Sequence, residues 1–459
     1  MRFVCLLFAS VVLLISYSNV VAQDAANENV INMVVSFLTG EDDDIRALAF
    51  NQIRTSAPGE IATKKFAEQL ETLPGPAKIG LLSALGDRGD AVAKPAVLKV
   101  LDGANDIEVR DAAINAIGKL GDASDTSRLI GLIASGDDLA STAAEKSLVI
   151  LQGDGVADAI ISGLNQASPA VQVRIVKVIT TRRALDAIPT LMIYAVRNDA
   201  KVRTAAMKAL GELAGPNHIA GMARGILKAK PGAERANAEK QVMFVCERIE
   251  DKNKQADPLL AAMRSMSERS RMALLPALGR IGGLGAIAEV EKAYSSSRPS
   301  VHTAGLRAFA NWPDASIADR LISIAKTDKH ADHQRMARMA VLRMAPLPDG
   351  RSDAEKLELL KAGMEMAAST SEESYALKRA AAIRLPETLR FVLPYLKDAK
   401  HAEQACLTIV ELAHHRQLRD DNKAEFHAAL DQVIGIAKDP VVVDRANRYK
   451  NGQTWVRPK

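Results

Sequence analysis

Apolar residues recur at offsets of three and four along almost the whole chain, and the clearest run is 106–122. Val109, Ala113, Ala116, Ile117 and Leu120 fall on one face of a helix there. Asp106 stands where a carboxylate can accept from the free N–H groups of the first turn. Gly121 follows the last apolar residue, where a left-handed residue commonly ends a helix, so a left-handed Gly121 is expected. The core of the run, Asp-x-x-Val-Arg-x-x-Ala with Asp106 and Arg110, returns as Asp42, Ile45, Arg46 and Ala49. It returns again as Asp199, Val202, Arg203 and Ala206, with a weaker copy at Ala170, Val173 and Arg174.

The copies at Asp42, Asp106 and Ala170 are 64 residues apart. Degenerate copies lie halfway. Pro74 opens a helical pattern through Ile79, Leu82 and Leu85, and Asp138 opens one through Ala144 and Leu148. The unit is therefore about 32 residues, a solenoid period. Each unit has a preceding helix, and three of these carry proline in the first turn (Pro95, Pro189, Pro258), where its missing N–H has no intrahelical partner to lose. Two amphipathic helices cannot bury both apolar faces alone, so neighbours must stack. The pattern predicts an all-α solenoid, a right-handed superhelix of about thirteen helix pairs. After Gly215 the rhythm loosens, and Pro346-Leu347-Pro348-Asp349-Gly350 breaks it as an irregular unit.

The Asp-x-x-(Val/Ile)-Arg-x-x-Ala cores and the endings Leu85-Gly86-Asp87 and Leu120-Gly121-Asp122 resemble the HEAT-repeat family, in its phycobilisome-lyase-type variant. The resemblance runs from about Asn29 to Gly215 and more loosely to about Tyr449. It implies stacked helix pairs in which Asp42, Arg46, Asp106, Arg110, Arg174, Asp199 and Arg203 are structural, the aspartate and arginine bonding between neighbouring units. It says little of function, because such repeats serve scaffolds, inhibitors, transport receptors and a few enzymes.

The N-terminus adds a location. Met1-Arg2 precedes an apolar run from Phe3 to Ile15, and Val20-Val21-Ala22 supplies a cleavage site. Residues 1–22 read as a signal peptide cleaved after Ala22, too short in its apolar part to span a bilayer. An exported bacterial protein, periplasmic or secreted and without membrane insertion after cleavage, is expected. The solenoid then occupies 23–450 and a polar tail 451–459. Losing Arg2 leaves 59 basic against 55 acidic residues, a net +4 that does not point to nucleic acid. Aromatic residues are 4% of the chain, few for carbohydrate stacking. Cys246 and Cys406 lie in apolar helical patterns too far apart for a disulfide.

Chemistry is sparse. Nucleophile-elbow, phosphate-loop, zinc-protease and haem motifs are all missing, as are the paired His-Glu dipeptides of HEAT-repeat di-iron hydroxylases. No catalytic residue, metal or cofactor is expected. His330 and His333, in Asp328-Lys329-His330-Ala331-Asp332-His333, read as a capped turn rather than a metal site. Met336, Met339, Met344, Met364 and Met366 read as core. Partner binding is expected on the second helices, one and five residues after the repeat arginine. That rule selects Asp111, Asn115, Thr204, Lys208, Ala236, Lys240, Thr303 and Arg307, with Lys208, Lys240 and Arg307 forming a mildly cationic surface for protein partners. The alternatives are an enzyme or accessory module with a site built across repeats, and a polyanion binder.

Overall fold

The computed structural model describes residues 28–56 and 58–455, so the leader reading on 1–22 lies outside the described residues. Those residues form helices and turns with no strand. Thirteen helix pairs follow one another, from 28–39 with Asp43–Thr55 to Lys423–Ile436 with Pro440–Lys450. A short helix, Arg416–Asp421, stands between the last two pairs and has no counterpart in the periodicity.

The chain divides into two compact units. One holds the residues through Ala214 together with 228–230, and the other holds 215–227 and everything from Pro231. In the first unit the second helices Gly75–Arg88, Ile107–Leu120, Asp138–Ile150, Pro169–Arg182 and Ala200–Leu213 pack each on the next. In the second unit the same succession runs through Ala233–Cys246, Glu268–Ile281, Pro299–Ala310, Ala331–Met344, Thr370–Ala380 and Ala402–His414. The last helix carries Trp455 back onto this core, with the Arg445 guanidinium 4.9 Å from its ring. Met344 is fully buried and Met339 and Met364 pack against the same core. Cys246 and Cys406 are free and buried, and burial pushes their thiols up to about 12 and about 11.

Local chemistry explains the helix starts. Asp42, Asp106 and Asp199 each accept from the second and third amides after them (2.8–3.3 Å). This corrects the inter-unit role that the resemblance implied for these aspartates: each caps its own helix. The helix Pro169–Arg182 begins after Ser168, so Ala170 is not a cap and Arg174 is out of register with the other arginines. The equivalent residue is Gln172.

That register position, four residues after the cap, has one recurrent task. It donates to the closing carbonyls of the preceding helix or of the turn after it. Arg46 reaches Gly40 O (2.7 Å), Ser141 reaches Ile133 O (3.0 Å) and Gln172 reaches Leu164 O (3.0 Å). Arg203 reaches Arg197 O and Asn198 O (2.8 and 2.6 Å), and Gln334 reaches Asp328 O (2.8 Å). These carbonyls have no intrahelical partner of their own. Arg110 departs from the rule and pairs with Asp137, the cap of the next second helix; Arg174 pairs with Glu145 on the previous one.

A second set of arginines joins repeats, and periodicity did not select it. Arg88 donates to Ile53 O and Ser56 O (2.8 and 3.0 Å). Arg182 donates to Leu148 O, Val149 O and Leu151 O (2.6–2.9 Å), and Arg343 reaches Ala310 O and Trp312 O. Each closes the C-terminus of the second helix one repeat earlier.

Gly121 is not left-handed. Its φ is −79°, open to any residue. A Cβ there would meet Ile117 O at 2.6 Å, Asp125 Oδ2 at 2.8 Å and Leu151 Cδ1 at 3.0 Å, so lack of space and not backbone conformation requires glycine.

Candidate functional site

The second helices present two arrangements, one in each unit. Of the residues selected from sequence, Asn115, Thr204 and Lys208 are exposed on the first unit, and Lys240 and Arg307 on the second. Asp111 is half-buried, with Oδ1 unpartnered, and burial followed by the field of Asp137 pushes its carboxyl up. Thr204 donates its hydroxyl to Ala200 O (2.8 Å), within its own helix.

Counting nine residues from each cap reaches Asn115 after Asp106, Lys208 after Asp199 and Arg307 after Arg298. The same count from Asp137 and Ser168 reaches Lys146 and Lys177. Lys146, Lys177 and Lys208 therefore occupy one register on three successive second helices of one unit, and all are exposed. Sequence reasoning missed the first two because the helix starts at 137 and 168 were misplaced. Between Lys146 and Lys177 lies a groove floored by Val149, Ile150, Val178 and Thr181. Ile150 is 42% exposed. Lys177 lies 3.6 Å from Glu145, whereas Lys146 and Lys208 make no ion pair among the described residues.

In the second unit three ionisable side chains converge between repeats. Asp328 follows the helix Ala318–Thr327 and its side chain is 2% exposed. His302, from Pro299–Ala310, places Nε2 3.1 Å from Asp328 Oδ2. His333, from Ala331–Met344, places Nδ1 3.2 Å from Asp328 Oδ1. The Tyr294 hydroxyl donates to Oδ2 (3.1 Å) and the His330 amide to Oδ1 (2.9 Å). The imidazoles of His302 and His333 face each other with centroids 5.1 Å apart. Burial alone would raise the Asp328 carboxyl; the His330 amide, His302 and Tyr294 together carry it below its ordinary range. Burial, then the bond to Asp328, pushes the Tyr294 phenol up to about 12.

The capped-turn reading of 328–333 is thus half of the picture. Asp328 does organise the turn, but His302 joins it from the previous repeat, and His330 gives the carboxylate only its backbone amide, its ring standing edge-on to His333 at 4.9 Å. The signal for His302 was present in the sequence: it stands four residues after Arg298, where several other repeats place arginine, glutamine or serine.

Residues 63–149 and 157–243 match the model of a family described as HEAT repeats. No curated protein sequence matches the chain. Among solved structures the chain is similar to Kap121p, at 13% identity over 93% of this chain and 56% of that one, with a TM-score of 0.41. It is similar to Kap121p bound to Nup53p at 12% identity, over 93% and 53%, with a TM-score of 0.46. Human deoxyhypusine hydroxylase in complex with glycerol is 15% identical over 63% of this chain and 98% of its own, with a TM-score of 0.26. The chain spans about half the length of the Kap121p chains it matches. The two matched stretches lie within the run of paired helices, and the fold class is an all-α solenoid of the kind that HEAT repeats build.

Proposed function

We propose that this chain is a non-catalytic scaffold, exported from the cytoplasm, that binds a protein partner through the exposed face of its second helices. One observation carries the reading: Lys146, Lys177 and Lys208 share a register on neighbouring helices of the first unit, and the first two flank a largely apolar groove whose only acidic lining residue, Glu145, is already engaged by Arg174 and Lys177. Side chains that hold the repeat together are paired with carbonyls or carboxylates, as Arg182 and Arg110 are. Lys146 and Lys208 have no such structural task. An occupant that fits is an extended acidic segment with apolar side chains, its carboxylates near the lysines and its apolar groups over Val149, Ile150 and Val178. Export rests on the leader-like residues Met1–Ala22. Solved structures of Kap121p with Nup53p and with the extreme C-terminus of Cdc14p support protein binding as a use of repeats of this kind.

The test is affinity capture with the chain from residue 23 onward, followed by titration of the acidic segment of whatever protein is recovered. Reversing all three charges, as K146E/K177E/K208E, should weaken that titration about a hundredfold, since like charges set against each other cost several kcal/mol. Reversal of Lys326, exposed in the second unit, should leave it unchanged. Equal affinity of the triple variant would sink the proposal. Capture of nucleic acid or another polyanion with a steep salt dependence would replace it with the polyanion reading.

A further inference from the structure

We propose that His302, Asp328 and His333 bind a divalent transition metal of the zinc class. The reading is independent of the partner surface and lies in the other unit.

The argument begins with His302. Its Nδ1 is within hydrogen-bonding distance of Tyr294 O, a carbonyl that can only accept, so Nδ1 carries the proton. This is the same carbonyl-closing task that Arg203 and Gln334 perform at this register position. In a neutral imidazole Nε2 is then a bare lone pair, and it faces Oδ2 of a carboxylate at 3.1 Å. Two acceptors at that distance need a cation between them.

His333 is arranged in the same way. Its Nδ1 faces Asp328 Oδ1 at 3.2 Å, and its outer nitrogen, Nε2, is 3.2 Å from Thr303 Oγ1. Each imidazole therefore offers one nitrogen inward while an oxygen holds the other: the Tyr294 carbonyl fixes tautomer and orientation for His302, and the Thr303 hydroxyl, which can donate or accept, orients His333 and lets its inward nitrogen be the bare one. The carboxylate matches. Tyr294 O–H engages Oδ2 and the His330 N–H engages Oδ1, leaving a lone pair on each oxygen for an ion.

The spacing agrees. Ligands at zinc distances in a tetrahedron lie about 3.3 Å from one another. Both nitrogen–oxygen separations here are 3.1–3.2 Å, and all three ligand atoms lie within 4.8 Å of one another. Two imidazoles and a carboxylate suit zinc, nickel or cobalt(II) better than calcium or magnesium, which prefer oxygen. The Asp328 side chain is 2% exposed and that of His302 21%, so the ion would be desolvated on the aspartate side and reachable along His302. Three protein ligands leave a further position for water or a group from outside.

The test uses the chain from residue 23 onward, stripped with chelator and then titrated with Co²⁺ alone and with Zn²⁺ alone. The expected result is one equivalent of ion retained on dialysis, visible d–d absorption with Co²⁺, and a higher melting temperature with Zn²⁺. H302Q should weaken binding at least about a hundredfold while the protein stays folded, because glutamine already closes the equivalent carbonyl at Gln172 and Gln334. H333A should do the same. T303V, which removes only the support of His333, should cost about tenfold, and H330A should change little. The proposal is overturned if the parent retains no more ion than H302Q/H333A with both folded by circular dichroism. It is equally overturned if H330A alone abolishes binding. A melting temperature that responds to pH through the imidazole range but not to Zn²⁺ would assign a proton, not a metal, to the gap between His302 and Asp328.

Discussion

Close approach between second helices is set at single positions. A Cβ on Gly118 would lie 2.7 Å from Ser147 Cα, and Ser147 is itself held by donating to Ile114 O (2.8 Å). Alanine gains about 1 kcal/mol of helix propensity over glycine, but overpacking here costs about 1–3 kcal/mol. We expect G118A to lower the urea midpoint. Gly131 is also interior to a helix and has nothing within 4 Å of where its Cβ would stand, so G131A should raise it. Equal shifts of one sign in the two variants would show that propensity, not packing, governs both sites. The sequence pattern marks both glycines alike. Only the neighbouring repeat distinguishes them, which is also why Gly121 was legible as a necessary glycine but not for the right reason.

Helices start for reasons close in sequence, whereas several second helices end for reasons a repeat away. The caps Asp42, Asp106 and Asp199 act on amides two and three residues on, so their position could be read directly. The arginines that close second-helix C-termini reach back 31 to 36 residues, from Arg182 to Leu151 and from Arg379 to Arg343, and no local pattern announces them. Burial holds the guanidinium of Arg182 below its ordinary range, yet its pairing with three carbonyls makes it a structural cation. R182M keeps most of the stem and removes the donors. Leaving partly buried carbonyls without a partner should cost about 2–3 kcal/mol. Hydrogen exchange should report it as faster exchange at the end of Asp138–Ile150 rather than throughout the unit.

The molecule as a whole depends on carboxylates that the fold keeps ionised. The Glu372 side chain, 2% exposed, would be raised by burial, but bonds from Arg338 (2.8 Å) and the Ala368 amide (3.0 Å) bring it below its ordinary range. For Asp349, burial raises and Arg351 and the Ala315 amide lower, with the same net direction. A carboxyl lowered on folding contributes stability that is present above its unfolded pKa, and that stability is lost as pH falls through the folded value. Stability of the second unit should therefore hold from neutrality down to about pH 4 and fall below it, where unfolded Asp and Glu take up protons. Melting temperatures between pH 7 and pH 2 check this. E372Q should be less stable at neutrality by about 3–5 kcal/mol, because Arg338 is left buried without its carboxylate, and should show a shallower fall in acid. A wild-type midpoint that does not move below pH 4 would refute the assignment.

The periodicity, the caps and the proline positions act within one helix or across one turn. Their chemistry is local, and so the all-α class, the repeat and nearly all of the helix pairs could be read from the chain before any coordinates. Meetings between residues of different repeats follow from how helices pack, and one residue of register decides them. Ser168 rather than Ala170 as the cap is what places Lys177 beside Lys146. His302 meets Asp328 across 26 residues because the helix Pro299–Ala310 lies against Ala331–Met344. The proposed partner face and the proposed metal centre both depend on such meetings, which distance along the chain does not encode.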